Sequence, residues 1–195
     1  WREQAQWWGD ARVQAANTFH LAADARLLAR GIRIISRKRV PNGLTYAHAP
    51  TNCHGCVLPD FTLIWLLSIW DYAWQTGDAE LIREQWPGVK QALGYFTGEG
   101  LGENGLLRYD PRYWLFLDWC DIHKAGTPTL LNLLYLHALD HVIELAGLAD
   151  MPGEGKSVQP GRATWTTGFF QEAIYSRALE ALGYEVDKAK DLSNP

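Results

Sequence analysis

The chain has 195 residues, with 18 Lys+Arg against 22 Asp+Glu and a formal net charge of −4; at 47% hydrophobic and 21% charged residues its composition is that of a folded protein, not a disordered one. The mildly acidic balance, with no basic cluster larger than Arg37-Lys38-Arg39, excludes an electrostatic footprint for nucleic acid or an anionic membrane. Three cysteines (Cys53, Cys56, Cys120) are too few for a disulfide framework.

In chain order, Val13, Ala16, Phe19, Leu21, Leu27 and Leu28 recur at helical spacing and predict one helix from Asp10 to Arg30, with Asp10 as its N-cap and Gly31 to end it. From Arg37 to Pro59 the pattern dissolves into Pro41-Asn42-Gly43 and Ala49-Pro50-Thr51-Asn52, a loop of a length that is usually functional. Asp60 to Gln75 is apolar nearly all round, as an inner helix surrounded by others would be. Its most apolar run, Phe61 to Trp70, falls well short of the roughly 20 residues that span a bilayer. Thr76-Gly77-Asp78 makes a stop and a new N-cap, and Ala79 to Phe96 follows as an amphipathic helix with a bend at Pro87, completing a hairpin.

Gly98 to Asn104 is glycine-rich. Leu106 to Trp119 then crowds Tyr109, Tyr113, Trp114, Phe116 and Trp119 around Asp110, Arg112 and Asp118, which predicts a partly extended loop of aromatic platforms. Thr127-Pro128 starts a second apolar helix, Leu130 to Leu145, with Gly147 as its stop. Met151 to Gly161 reads as a linker, followed by a helix from Thr166 to Leu182. Apolar helix, turn and amphipathic helix thus recur with long aromatic loops between them, the grammar of an all-α toroid whose loops build a site at one rim. The chain opens on Trp1 and has its single methionine at Met151, so it reads as a piece whose natural N-terminus lies outside it, and localisation stays open.

The chain contains 10 Trp and 8 Tyr. Flat rings with carboxylates nearby suit sugars, whose CH faces stack on aromatics while their hydroxyls need fixed acceptors. Trp65, Trp70, Trp74 and Trp86 read as core residues; Trp1, Trp7, Trp8, Tyr113, Trp114 and Trp119 are the candidates for a binding surface. Glu3 and Asp10 flank Trp7-Trp8, and a carboxyl beside an indole or a second carboxylate has its pKa raised, as a general acid for glycoside cleavage requires. The plain alternative is that Asp10 caps a helix and Glu3 is solvated.

Arg2-Glu3, three intervening residues and Trp7-Trp8-Gly9-Asp10 leading into a helix resemble the catalytic-acid motif of bacterial α-L-rhamnosidases, inverting enzymes built on a six-hairpin (α/α)6 barrel. Leu58-Pro59-Asp60-Phe61, the stretch from Trp70 to Asp78 and Leu117-Asp118-Trp119 agree in order, and the resemblance covers roughly residues 1–150. It implies Glu3 as general acid and Asp10 as a second site carboxylate holding sugar hydroxyls. It places Arg2, Trp7, Asp60, Phe61, Trp114, Asp118 and Trp119 around the sugar. Phe61 stands where a Trp is commoner in the family. An inverting mechanism also needs a base about 6.5–9.5 Å from the acid; the resemblance puts that glutamate outside this chain, which would leave it inactive alone.

The resemblance thus implies a partial toroid, with residues 1–150 in the catalytic barrel and 151–195 supplying a linker and a further barrel helix. The reaction is hydrolysis of terminal α-L-rhamnosides, with a carbohydrate as partner and no cofactor. Another six-hairpin glycosidase and a non-catalytic carbohydrate-binding helical domain are the alternatives. Cys53-x-x-Cys56 and Cys120-x-x-His123 supply the ligand types of a structural zinc site, but the 64 positions separating Cys56 from Cys120 favour coincidence, and no metal is expected. His137 and His141 lack the glutamate of a zincin pair and read as packing or surface residues.

Overall fold

A computed structural model describes residues 4–52 and 55–149, together with the backbone of four short strands between 156 and 192. Five helices order the first part: α1 (Trp8–Ala22), α2 (Arg26–Arg37), α3 (Pro59–Thr76), α4 (Ala79–Phe96) and α5 (Thr129–Ala149). Helix α3 packs against α1 on one flank and α5 on the other, while α2 and α4 touch each other behind it, so odd and even helices form two layers. That is the alternation of a helical toroid built from hairpins.

The predicted long first helix is a hairpin instead. Ala23 takes a left-handed conformation (φ 51°) and its N–H closes on the Phe19 carbonyl, which ends α1. Asp24 then accepts the Arg26 N–H at 2.9 Å and starts α2. Periodicity across the break misled because Val13, Leu21 and Leu27 are exposed, and Trp8 is the one fully buried residue of α1. Asp10 is not the cap either: α1 begins at Trp8, and Asp10 lies exposed in its first turn.

Gly31 does not stop a helix; it sits buried in the middle of α2. A Cβ there would lie 2.6 Å from the Trp8 ring, so glycine is present to admit the indole. Helix α3 is buried nearly all round, as predicted, and Trp65 within it donates its indole N–H to the Ile32 carbonyl at 3.1 Å. Each Leu or Ile so buried contributes about 1.5–3 kcal/mol. Gly77 (φ 70°) ends α3, and Asp78 caps α4 by accepting the Glu80 N–H at 2.8 Å, both as expected. Gly147 fails as a stop, since α5 runs on to Ala149. Trp65 and Trp86 belong to the core, but Trp74 is 75% exposed and stacks flat on Trp70 at 5.5 Å.

Two loops lie against these helices. Thr62 in α3 accepts the Thr45 N–H at 3.0 Å, which ties down the 38–58 loop. In α5, Asn132 grips Leu107 from both sides, accepting its N–H at 2.8 Å and donating to its carbonyl at 3.0 Å. After α5 the strands β1 (Lys156–Val158) and β2 (Gly161–Ala163) pair in parallel with β3 (Tyr184–Val186) and β4 (Lys190–Leu192) respectively. Five positions separate the starts of β1 and β2, and six those of β3 and β4. The two pairings are two separate two-stranded sheets. The expected helix from Thr166 to Leu182 lies outside the described residues. No described helix is long and apolar enough to cross a membrane.

Gly31→Ala tests the fit of Trp8. Helix propensity alone would favour alanine by about 1 kcal/mol, but a Cβ driven into a pinned indole should reverse the sign. A net loss of about 1–3 kcal/mol is expected, read as a lowered urea midpoint; an unchanged or raised midpoint would contradict the packing.

Candidate active site at the loop rim

Trp7 and Trp8 point to opposite sides of the backbone. Trp8 is sunk in the core, its backbone N–H bonded to the Ala47 carbonyl at 2.9 Å, while half-buried Trp7 faces outward and meets His48, Phe61 and Trp114 at ring-centroid distances of 4.5, 6.3 and 6.5 Å. Phe61 is buried beneath, with room only because Gly9 carries no side chain: a Cβ there would lie 3.0 Å from its ring. Phe61 meets Phe116 edge-on at 5.8 Å, and Phe116 in turn meets Trp114 and Trp119 at 5.9 and 5.0 Å. One continuous run of rings therefore joins the start of α1, the start of α3 and the 114–119 loop. Its outer members are open, Trp114 at 44% and Trp119 at 85% exposure.

Asp60 behaves differently from its neighbours. Its carboxylate is 1% exposed and accepts backbone N–H groups from the loop above, Leu117 at 2.7 Å and Phe116 at 3.4 Å. Burial pushes its carboxyl above the usual range, and those N–H groups pull part of the way back. Leu117 sits at φ 53°, a left-handed conformation costly for a residue with a side chain, so this bend is imposed by what holds it. Asp118 is exposed and accepts the N–H of Trp119 at 2.6 Å.

A second network holds the stem of the loop. Arg112 forks between Asp110 (2.7 Å) and Glu99 (2.8 Å), the buried Asp110 also accepts the Tyr95 hydroxyl at 3.2 Å, and Asn42 donates to the Tyr113 hydroxyl at 2.8 Å. Arg112 holds the Asp110 carboxyl below the usual range, while burial and Asp110 push the Tyr95 hydroxyl well above its own. Beside the ring cluster, between α1 and α2, opens a groove of about 360 Å³ lined by Gln4, Gln6, Trp8, Gln14, Arg30 and Pro50.

The structure thus brings together Trp7, Phe61, Trp114 and Trp119, with Asp60 locked beneath them. Asp10 stands exposed one turn into the helix that Trp7 precedes. Arg2 and Glu3 lie outside the described residues, as do Trp1 and Cys53. Two members of the cluster were not singled out from the sequence. Phe116 was one of several aromatics in its loop, and His48 lies in a stretch with no motif, its place set by a backbone bridge to Trp7. Among the described residues no three His, Cys, Asp or Glu side chains gather as metal ligands. Glu144 accepts the Trp70 indole N–H at 2.5 Å, His141 meets the Trp70 ring edge-on at 4.2 Å, and His137 meets His141 edge-on at 4.3 Å.

Layered helical hairpins with an aromatic, carboxylate-bearing rim define a domain of the six-hairpin glycosidase type. The chain belongs to the family described as the bacterial alpha-L-rhamnosidase six-hairpin glycosidase domain, which it matches over residues 1–175. Among solved structures it is similar to a GH78 family rhamnosidase of Bacillus sp. GL1, at 25% identity and a TM-score of 0.71, over 92% of this chain and 17% of that one. It shares its fold with a rhamnosidase from Klebsiella oxytoca solved with rhamnose bound, at 19% identity and a TM-score of 0.65, over 93% of this chain and 32% of that one. A stretch of 44 residues, 23% of the chain, is 48% identical to the glycine betaine/proline betaine-binding periplasmic proteins of Escherichia coli K12 and Salmonella typhimurium LT2, 13% of each. The chain therefore spans less than a third of any of these relatives.

The Asp110–Arg112 pair carries a pH prediction. A carboxyl depressed in the folded state contributes stability that is complete above its unfolded pKa and fades as pH falls through the folded value. Asp110→Asn should lower stability by about 1–3 kcal/mol near neutrality and shrink the stability loss between about pH 5 and pH 3. Urea unfolding followed across that range measures both.

Proposed function

We propose that this chain supplies the acid-bearing half of a glycoside-hydrolysing site, acting on terminal α-L-rhamnosides with inversion. The observation that carries the reading is the run of rings from Trp7 through Phe61 and Phe116 to Trp114 and Trp119, placed directly after the Arg2-Glu3 motif. Trp7, Trp114 and Trp119 offer faces to the apolar side of a sugar ring, and a deoxy sugar with a methyl group suits such a surface. Glu3 would give its proton to the glycosidic oxygen, and Asp10 and Asp118 would accept sugar hydroxyls, with Arg2 alongside. Phe61, itself buried, would act as the floor under Trp7. The water-activating base is assigned to no residue here: Glu144 already holds Trp70, and Glu172 and Glu180 lie outside the described residues. The rhamnose-bound fold relative and the family match support the sugar.

In a protein carrying the whole barrel, Glu3→Gln should lower turnover about 10²–10⁴-fold while leaving L-rhamnose affinity within a few-fold of the parent. Steady-state kinetics and equilibrium binding read the two effects separately, and a non-catalytic sugar-binding domain would show neither turnover nor its loss.

For residues 151–195 a second reading is favoured by a specific observation. Parallel strands need a crossover between them, here the 25 residues from Val158 to Tyr184, and pairs of that kind belong to α/β units. The family match reaches residue 175, while the extensive contacts of the described strands are with one another. We infer a junction between the barrel helices and a separate α/β unit. Ending the chain at residue 150 should then leave the helical urea midpoint unchanged; a clearly lowered midpoint would make the segment part of the barrel.

A further inference from the structure

The family resemblance implies a sugar contact for Asp60, and the geometry around the residue offers another task. Its side chain is closed off from solvent, and both of its oxygens are engaged: Oδ2 accepts the Leu117 N–H at 2.7 Å and Oδ1 the Phe116 N–H at 3.4 Å. The residues it holds are the turning point of the aromatic loop. Leu117 is one of two described non-glycine residues with a left-handed backbone, and Phe116 is the ring through which Trp114 and Trp119 connect to Phe61. Trp119 itself is 85% exposed, so packing does little to hold it. Asp60 lies in the first turn of α3, where the helix N-terminus favours a carboxylate, so the anchor is rigid on the helix side.

We propose that Asp60 is a positioning residue: by gripping the Phe116 and Leu117 amides it holds Trp114 and Trp119 at the height of Trp7, and so sets sugar affinity without touching the sugar. The inference rests on the carbohydrate reading above, but its mechanical part stands on the geometry alone.

The test uses the whole chain, with amide hydrogen exchange at Phe116 and Leu117 as one arm and L-rhamnose binding as the other. Asp60→Ala should speed exchange at both amides and weaken L-rhamnose binding about tenfold, with helical circular dichroism unchanged. Asp60→Asn keeps one oxygen. Exchange should quicken at Phe116 while Leu117 stays protected, with affinity recovered to within about threefold of the parent. That split rescue also decides the matter if the alanine variant does not fold.

Unchanged exchange at both amides in either folded variant overturns the proposal. So does equal loss of affinity in the two variants with the amides still protected, since the carboxylate would then be reading the sugar directly. If the parent chain itself does not bind L-rhamnose, the carbohydrate reading fails, while the exchange arm still decides whether Asp60 holds the loop.

Discussion

The indole of Trp8, buried against the bare backbone of Gly31, is the contact on which the arrangement of the rim depends. Successive side chains at the start of α1 diverge, so sinking Trp8 between the helices forces Trp7 outward, toward Phe61 and Trp114. The same contact draws α2 against α1, and the Trp65 indole then finds the Ile32 carbonyl one helix further in. A sparing use of glycine makes this possible. Gly31 admits Trp8, and Gly9 admits Phe61. Neither is a turn, and both mark places where a ring meets backbone.

The rim is held by polar groups and presents apolar ones. Beneath the rings, Asp60 takes the loop amides, Arg112 joins Asp110 to Glu99, and Asn132 grips Leu107. Each is a charged or forked hydrogen bond at the edge of the core, where partial exclusion of water strengthens it. A surface of exposed rings needs such support. Exposed indoles gain little from their own packing, and a platform free to swing would lose entropy whenever a ligand stilled it.

The same economy shows on the open face of α3 and α5. Trp70 and Trp74 stack there, Trp70 donates to Glu144, and Arg12 forks onto Asp71 from α1. Aromatic and charged residues thus mingle on this face of the odd-numbered helices, while rings also face the even layer: Trp65 reaches Ile32 of α2, and Tyr135 of α5 stacks on Phe96 of α4 at 5.3 Å.

Much of this was legible along the chain. The apolar run of α3, the Thr76-Gly77-Asp78 junction and the start of α5 just after Pro128 are local signals, and local hydrogen bonding and burial made them what they read as. The aromatic loop was likewise visible as a crowding of rings. What the sequence alone could not carry was every role that depends on a distant partner. Gly31 looks like a stop until Trp8 is laid across it, Asp60 shows no tie to the aromatic loop until the loop amides close over it, and His48 carries no mark at all until a strand-like bridge sets it beside Trp7. Local chemistry decides which elements form. Which face of each is buried, and which carboxylate is held and which left open, is decided by contacts between residues 20 to 60 positions apart, and only the folded chain brings those together.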